Sequence, residues 1–367
     1  MNNSPLLKIE ELRTYFYSRT KQAFIRSVDG VDLEVNKGDT LGIVGESGSG
    51  KSVSMLSIMG LIAARPGIIT GQVWYQQEQA RINLLAGLQD HVQVSKNDGR
   101  IMSVEKTDLA WQRRLEKNML GIRGKEIAMI FQNPKSAMNP FFTIGHQIVE
   151  NITRHTQYKS RKEAKERALY WLERVKIDSP QLRFYNYPYG LSGGMCQRAM
   201  IATALSSEAK LLIADEPTTG LDATIQARIA DLLEELRAQT GVTIVLISHD
   251  MGVIGRLSNK IAVMYGGRVM ESGPAQAVID HADGKSHPYT EALLKSIPRE
   301  DNMSSQGHLN SIDGEVLDTI NVPRGCRFAS RCQRINKSIE KMCLNEEPPL
   351  ATVSDGHKIR CWHFAGV

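Results

Sequence analysis

The chain has 367 residues, of which 41% are hydrophobic and 23% charged, and its formal net charge is +5. That length allows two or three domains of the usual ~100–200 residues, and the apolar content can fill their cores, which excludes a disordered chain. Lys and Arg are scattered among acids, which suits a small anionic ligand or an acidic membrane surface and excludes a dedicated nucleic-acid binder.

The N-terminal Met1-Asn-Asn-Ser-Pro-Leu-Leu-Lys8 has no basic stretch followed by a long apolar one, so no signal peptide is expected and the protein is placed in the cytosol. The first clear β run is Leu41–Val44, followed at once by "GESGSGKS", Gly45 to Ser52. Met55–Ala64 is apolar, but Ser57 and Gly60 interrupt it and Arg65 ends it, well short of the ~18 residues a membrane span needs. It reads as a buried helix. From about Gln76 to Asn118 the chain is polar and weakly periodic, with "QQEQARINLL" and "SKNDGR", and reads as an inserted, partly flexible segment.

Ile127–Phe131, Leu211–Ala214 and Val242–Ser248 are further short β-rich runs and read as buried parallel strands. Between the first two of these, Arg161–Ile177 sets Ala164, Ala168, Leu172 and Val175 at helical spacing among charges, an amphipathic helix. The alternation is an α/β pattern. Ile261–Met270 places two β runs around Gly266-Gly267, a hairpin. From about Ser286 the pattern changes, through "HPYTEALLKSIPRED" and a polar linker "NMSSQGHLN", into a tail that holds four of the five cysteines.

Gly45-x-x-x-x-Gly50-Lys51-Ser52, between a strand and a helix, is a P-loop pattern. Glycines let the amides of Gly45, Glu46, Ser47, Gly48, Ser49 and Gly50 turn inward as an anion nest, and the next helix points its positive end at the phosphates. Lys51 is then expected to reach the β- and γ-phosphates and Ser52 to ligate Mg²⁺. Leu211-Leu-Ile-Ala-Asp215-Glu216 is an apolar strand ending in two carboxylates. Asp215 is expected to hold the metal's water shell and Glu216 to polarise the attacking water.

Ahead of that strand stands Leu191-Ser-Gly-Gly-Met-Cys-Gln-Arg198, with a helical stretch behind it. With "MIFQNP", "TTGLDAT" and "LISHD" in the same order, these motifs resemble those of ABC-transporter ATPases. The resemblance implies an α/β fold: a P-loop ABC-type nucleotide-binding domain with a RecA-like core, an antiparallel β subdomain and a helical subdomain, plus a small Cys-containing C-terminal extension. It implies that Gln132 is the Q-loop residue sensing Mg²⁺, Asp222 the D-loop residue and His249 the switch histidine at the γ-phosphate. Ser192, Gly193 and Gly194 are implied to face the nucleotide held by an opposing subunit, so that two ATP molecules are sandwiched in a dimer. Phe16 lies where the family places an aromatic on adenine, with Tyr15 and Tyr17 beside it. Cys196 stands where relatives commonly carry Arg, which removes a charge but no catalytic group.

A single motif set makes the chain one half of a motor, and with no span of its own it must couple to separate membrane subunits, to another soluble module, or to nothing. "VGESGSGKS", "IFQNPKSAMNP", "ADEPTTGLDATIQA", "HPYTEALL" and "PRGCRFASRC" resemble the ATP-binding subunits of oligopeptide and dipeptide permeases over nearly the whole chain. That resemblance implies peptide import, two transmembrane permease subunits, a second related ATPase, an extracytoplasmic peptide-binding protein and a place on the cytoplasmic face of the inner membrane. Nearby families import nickel, glutathione or antimicrobial peptides. A soluble ABC ATPase acting on DNA or ribosomes would show tandem motifs or a long coiled-coil insertion, and an inactive regulatory partner would show a damaged motif; this chain has neither.

Cys326-x5-Cys332-x10-Cys343-x17-Cys361 can hold Zn²⁺ or a [4Fe–4S] cluster, or be unligated structural thiols. The Cys-x2-Cys knuckles favoured by zinc are absent, and the resemblance implies the cluster, in a structural role. The expected division is an ATPase domain over 1–285, with its helical subdomain at about 133–200 and the insertion at about 76–118, and an extension over 286–367.

Overall fold

The computed structural model describes residues 4–78, 80–97, 100–158, 160–280, 284–296 and 312–366. The linker read in "NMSSQGHLN" lies outside them. In chain order the strands are β1 (Leu7–Ser18), β2 (Ala23–Val35), β3 (Thr40–Val44), β4 (Pro66–Gln76), β5 (Arg81–Asn83), β6 (Val92–Asn97), β7 (Arg100–Lys106) and β8 (Ile127–Ile130). They continue with β9 (Leu211–Asp215), β10 (Thr243–Ile247), β11 (Lys260–Tyr265), β12 (Arg268–Pro274), β13 (Ala351–Ser354) and β14 (His357–Ile359). Two compact units result, one from residues 1–36, 41–118 and 249–367, the other from 37–40 and 119–248.

In the first unit, β1, β2, β4 and β5 form an antiparallel sheet in the order β2-β1-β4-β5. Leu7, Ile9 and Leu12 of β1 are buried and pair with Val35, Leu33 and Val31 of β2. These long strands show no clean alternation in sequence, because register shifts after Ile9 and Thr14 break the period of two. Elsewhere in this unit β11 runs parallel to β3, pairing Lys260 with Leu41 and Val263 with Val44, and turns through Gly266-Gly267 into β12. The hairpin is therefore longer than its sequence signal. The tail adds β14 and then β13 beyond β12, with Glu271 opposite Ile359.

The helix after β3 covers Lys51–Ile58 and stops earlier than the apolar run suggests. Gly60 takes the left-handed conformation and Leu61 N–H donates to Leu56 O at 2.8 Å, the closing bond of a glycine-terminated helix. Leu61 is consequently 40% exposed. The 76–118 segment departs further from expectation, because it is largely regular. β6 and β7 pair as a hairpin, and Asp108–Met119 is a helix that buries Trp111 and Leu115. Lys106 Nζ lies 3.2 Å from the Trp111 ring centroid and donates to Pro66 O at 2.6 Å. A cation over an aromatic face stabilises this segment in a way that hydrophobic periodicity does not register.

In the second unit, β10, β9 and β8 are parallel and fully buried, pairing Thr243 with Leu211 and Leu211 with Ile127. The amphipathic helix runs over Arg161–Arg174. Ser160 caps it by accepting from Glu163 N–H at 3.2 Å, and Ala164, Ala168, Trp171 and Leu172 form its buried face. It ends short of Ile177 because Lys176 is left-handed and Ile177 N–H returns to Leu172 O at 3.1 Å.

Candidate nucleotide site

The glycines of the P-loop segment have different tasks. A Cβ on Gly45 would stand 2.1 Å from Met264 O, and one on Gly50 would stand 2.2 Å from Ser27 O, so both are required by the protein's own backbone. Gly48, at φ +78°, has nothing within 4 Å of that position and is where the loop leaves space. Lys51 is 5% exposed, and its ammonium donates to Gly45 O at 2.7 Å and Glu46 O at 2.9 Å. The cation expected to meet phosphate is thus held against the loop by the loop's own carbonyls. Ser52 follows it in the first turn of the helix, whose N-cap Gly50 supplies no side-chain cap. Glu46 N–H donates to the Tyr289 hydroxyl at 2.8 Å, and Arg331 pairs with the Glu46 carboxylate. Sequence reading missed both partners.

The adenine candidates also separate. Tyr15 is 1% exposed and its hydroxyl donates to Asp29 Oδ1 at 2.6 Å, so it has no face to offer a ligand. Phe16 is partly exposed, and Tyr17 is exposed and packs edge-on against Phe24. His249 is exposed, and its neighbour Asp250 caps the helix Met251–Leu257 by accepting from Gly252 N–H at 2.7 Å.

In the second unit, β9 delivers Asp215, 6% exposed, and then Glu216, whose backbone is left-handed at φ +46°. A non-glycine residue there costs roughly 1–2 kcal/mol, so the surroundings impose that conformation. Glu216 N–H donates to Ile247 O at 3.0 Å, while Glu216 Oε2 accepts from Gln132 Nε2 at 2.9 Å and from Thr219 Oγ1 at 2.8 Å. Q-loop residue and candidate base are therefore directly bonded, and Thr219, unnoticed in "TTGLDAT", is a second orienting donor.

Ser192 caps the helix Gly193–Leu205 by accepting from Met195 N–H at 3.3 Å. A Cβ on Gly193 would lie 3.3 Å from Leu221, and one on Gly194 would lie 3.0 Å from Ile225. Asp222 caps the helix Ala223–Thr240 through Ile225 N–H at 2.9 Å. Signature and D-loop are thus packed on each other. Cys196 is fully buried, with its Sγ 3.3 Å from Pro188 O, and burial pushes its thiol pKa up.

Cys326, Cys332, Cys343 and Cys361 line one small apolar cavity together with His287, Phe328, Ile339 and Trp362. Cys326 N–H donates to Cys343 O at 2.8 Å. Burial pushes the Cys326 thiol to about 12 and that of Cys361 to about 11. Four thiols around a nonpolar cavity are the donor set an iron–sulfur cluster uses. As the side chains stand, no three His, Cys, Asp or Glu among the described residues are gathered closely enough to hold a metal ion.

Residues 28–219 match the ABC transporter family, and residues 270–338 match the family described as oligopeptide/dipeptide transporter, C-terminal region. The chain is 41% identical to the oligopeptide transport ATP-binding protein AppD of Bacillus subtilis, covering 98% of this chain and 97% of that protein. It is 39% identical to the dipeptide transport ATP-binding protein DppD of the same organism, covering 97% and 94%. Among solved structures it resembles the dimeric ATP-binding cassette MJ0796, in a post-hydrolysis state with ADP and Pi, at TM-score 0.56 and 23% identity over 73% of this chain and 98% of that one. That likeness concerns the fold.

Proposed function

The chain belongs to the ABC transporter family and is an ATPase of it, and from that premise we propose that it powers the import of di- or oligopeptides. One observation carries the substrate class: a single chain joins the ABC segment to the C-terminal region of oligopeptide/dipeptide transporters and aligns with AppD over 98% of its length. Among the described residues no helix is long and apolar enough to cross a membrane. From the alignment with transport ATP-binding proteins, the proposed place is peripheral, at the cytoplasmic face of the inner membrane, on two permease subunits fed by an extracytoplasmic peptide-binding protein.

In this reading Gly45–Ser52 binds the ATP phosphates, with Lys51 leaving its carbonyls for the β- and γ-phosphates and Phe16 stacking on adenine. Ser52, Asp215 and Gln132 supply the oxygen ligands or water contacts that Mg²⁺ prefers. Glu216, oriented by Gln132 and Thr219, accepts the proton of the attacking water, and His249 stabilises the γ-phosphate. Ser192, Gly193 and Gly194, with Asp222, serve the nucleotide of a second, related ATPase subunit, so turnover requires the pair. The proposed division is a 1–285 ATPase domain and a 286–367 extension, in which Cys326, Cys332, Cys343 and Cys361 would hold a [4Fe–4S] cluster that braces a short tail.

The test is affinity capture of the full chain from native membranes. Copurification of two permease subunits and a related ATPase, with ATPase activity stimulated by peptide and its binding protein, is expected. Capture of a permease pair whose stimulating substrate is not a peptide would overturn the substrate class. Anaerobic purification should yield brown protein, and iron-free protein would refute the cluster.

A further inference from the structure

Arg331 stands in the tail, one residue before Cys332, yet its guanidinium ends on the phosphate loop. Nη1 donates to Glu46 Oε2 at 2.7 Å and Nη2 to Glu46 Oε1 at 3.0 Å, a two-pronged pair bridging 285 positions of sequence. The Arg331 side chain is 2% exposed and that of Glu46 is 21% exposed. Its other donor bonds go to the Tyr265 hydroxyl at 3.3 Å, Ile312 O at 3.2 Å and Asp313 O at 2.8 Å. Phe328, three residues earlier, packs against Tyr265 and Tyr289 with ring centroids 5.3 Å away in each case. Arg331 is thus seated on an aromatic platform continuous with Tyr289, which accepts from Glu46 N–H.

Glu46 is the only carboxylate in "GESGSGKS", a segment whose other residues offer N–H groups, serine hydroxyls and one ammonium. A bare carboxylate in such a loop repels a polyphosphate, and partial burial weakens the screening that would mask it. We infer that Arg331 is a positioning residue of the nucleotide site: by taking both oxygens of Glu46 it neutralises that carboxylate and fixes it, so that MgATP meets the loop's donors without an unpaired negative charge beside them. The inference rests on the reading of Gly45–Ser52 as the phosphate loop. It gives the C-terminal extension a direct task in ATP affinity, separate from any metal its cysteines hold.

The experiment is calorimetric titration of MgATP into the full-length chain and its variants at about 0.05 M and about 0.5 M salt. Arg331→Ala should weaken binding about tenfold at low salt and by much less at high salt, since an unmasked charge is screened and a loosened fold is not. Adding Glu46→Gln to Arg331→Ala should restore binding to within about twofold of the parent. Glu46→Gln alone should bind as well as the parent or better, because Arg331 keeps Tyr265, Ile312 and Asp313 as acceptors. Unchanged affinity in Arg331→Ala, or no restoration in the double variant, would overturn the inference. If Arg331→Ala does not fold, Glu46→Gln decides alone: weakened binding there would make the pair a structural strut. Lys51→Ala separates the two levels. Retained binding in that variant would remove the phosphate-loop reading itself, whereas lost binding there with unchanged Arg331→Ala would remove only the role of Arg331.

Discussion

Gln132 Nε2 donates to Glu216 Oε2 at 2.9 Å across 84 residues of sequence. The bond ties the residue expected to sense the metal to the carboxylate expected to activate water, and Thr219 Oγ1 fixes the same oxygen from the other side of the turn. Two donors on one oxygen hold the carboxylate in a set orientation, as a group that must accept a proton from a placed water requires. The left-handed Glu216 backbone shows that this carboxylate is placed at a conformational cost.

Glu216→Gln keeps the size of the side chain and an acceptor for Thr219 but removes the proposed base. ATP binding should persist while phosphate release falls about 10²–10⁴-fold, with a closed nucleotide-bound dimer accumulating on size-exclusion chromatography. Unaltered hydrolysis would remove Glu216 from the base role. Gln132→Ala leaves the base in place but frees one of its orienting bonds, and kcat should fall about tenfold. A fall as deep as that of Glu216→Gln would mean that Gln132 does more than orient.

Gly45→Ala should be far more damaging than Gly48→Ala, although both glycines belong to one motif. The first forces a Cβ to within 2.1 Å of Met264 O, whereas the second meets nothing within 4 Å. Thermal melts should show a loss of about 3 kcal/mol or more for Gly45→Ala and about 1 kcal/mol for Gly48→Ala, the latter being the cost of a left-handed alanine. Equal losses would mean that the loop's glycines are interchangeable.

His287 should make the protein acid-sensitive. It is 1% exposed, and its Nδ1 accepts from Tyr289 N–H at 3.0 Å. Burial drops its pKa to about 3. The unfolded chain binds this proton near the ordinary value of about 6.5 while the folded chain resists it. Stability is therefore lost as pH falls from about 6.5 towards about 3, by about 1.4 kcal/mol per unit. His287→Asn, whose side-chain oxygen can accept the same capping bond, should flatten this slope. Parallel losses in parent and variant between about pH 6 and about pH 4 would assign the sensitivity elsewhere.

The parallel strands were legible because each is a short apolar run bounded by glycines or acids, and burial on both faces demands that composition. β1 and β2 were not, because bulged antiparallel strands lose their alternation, so the antiparallel subdomain was legible only through family resemblance. The 76–118 segment looked irregular because its order depends on contacts such as Lys106 over Trp111, which follow no short period.

By itself the sequence determined the chemistry on offer: a glycine-rich loop with Lys51, an acidic strand end at Asp215 and Glu216, a signature, a histidine and four tail cysteines, each recognisable because its function needs a fixed local spacing. Only the tertiary structure decided which partners hold those groups. That Glu216 is bonded to Gln132, that Gly45 is required by Met264, and that Arg331 closes on Glu46 are facts of long-range packing, and no local pattern encodes a contact between residues that meet only when the chain folds.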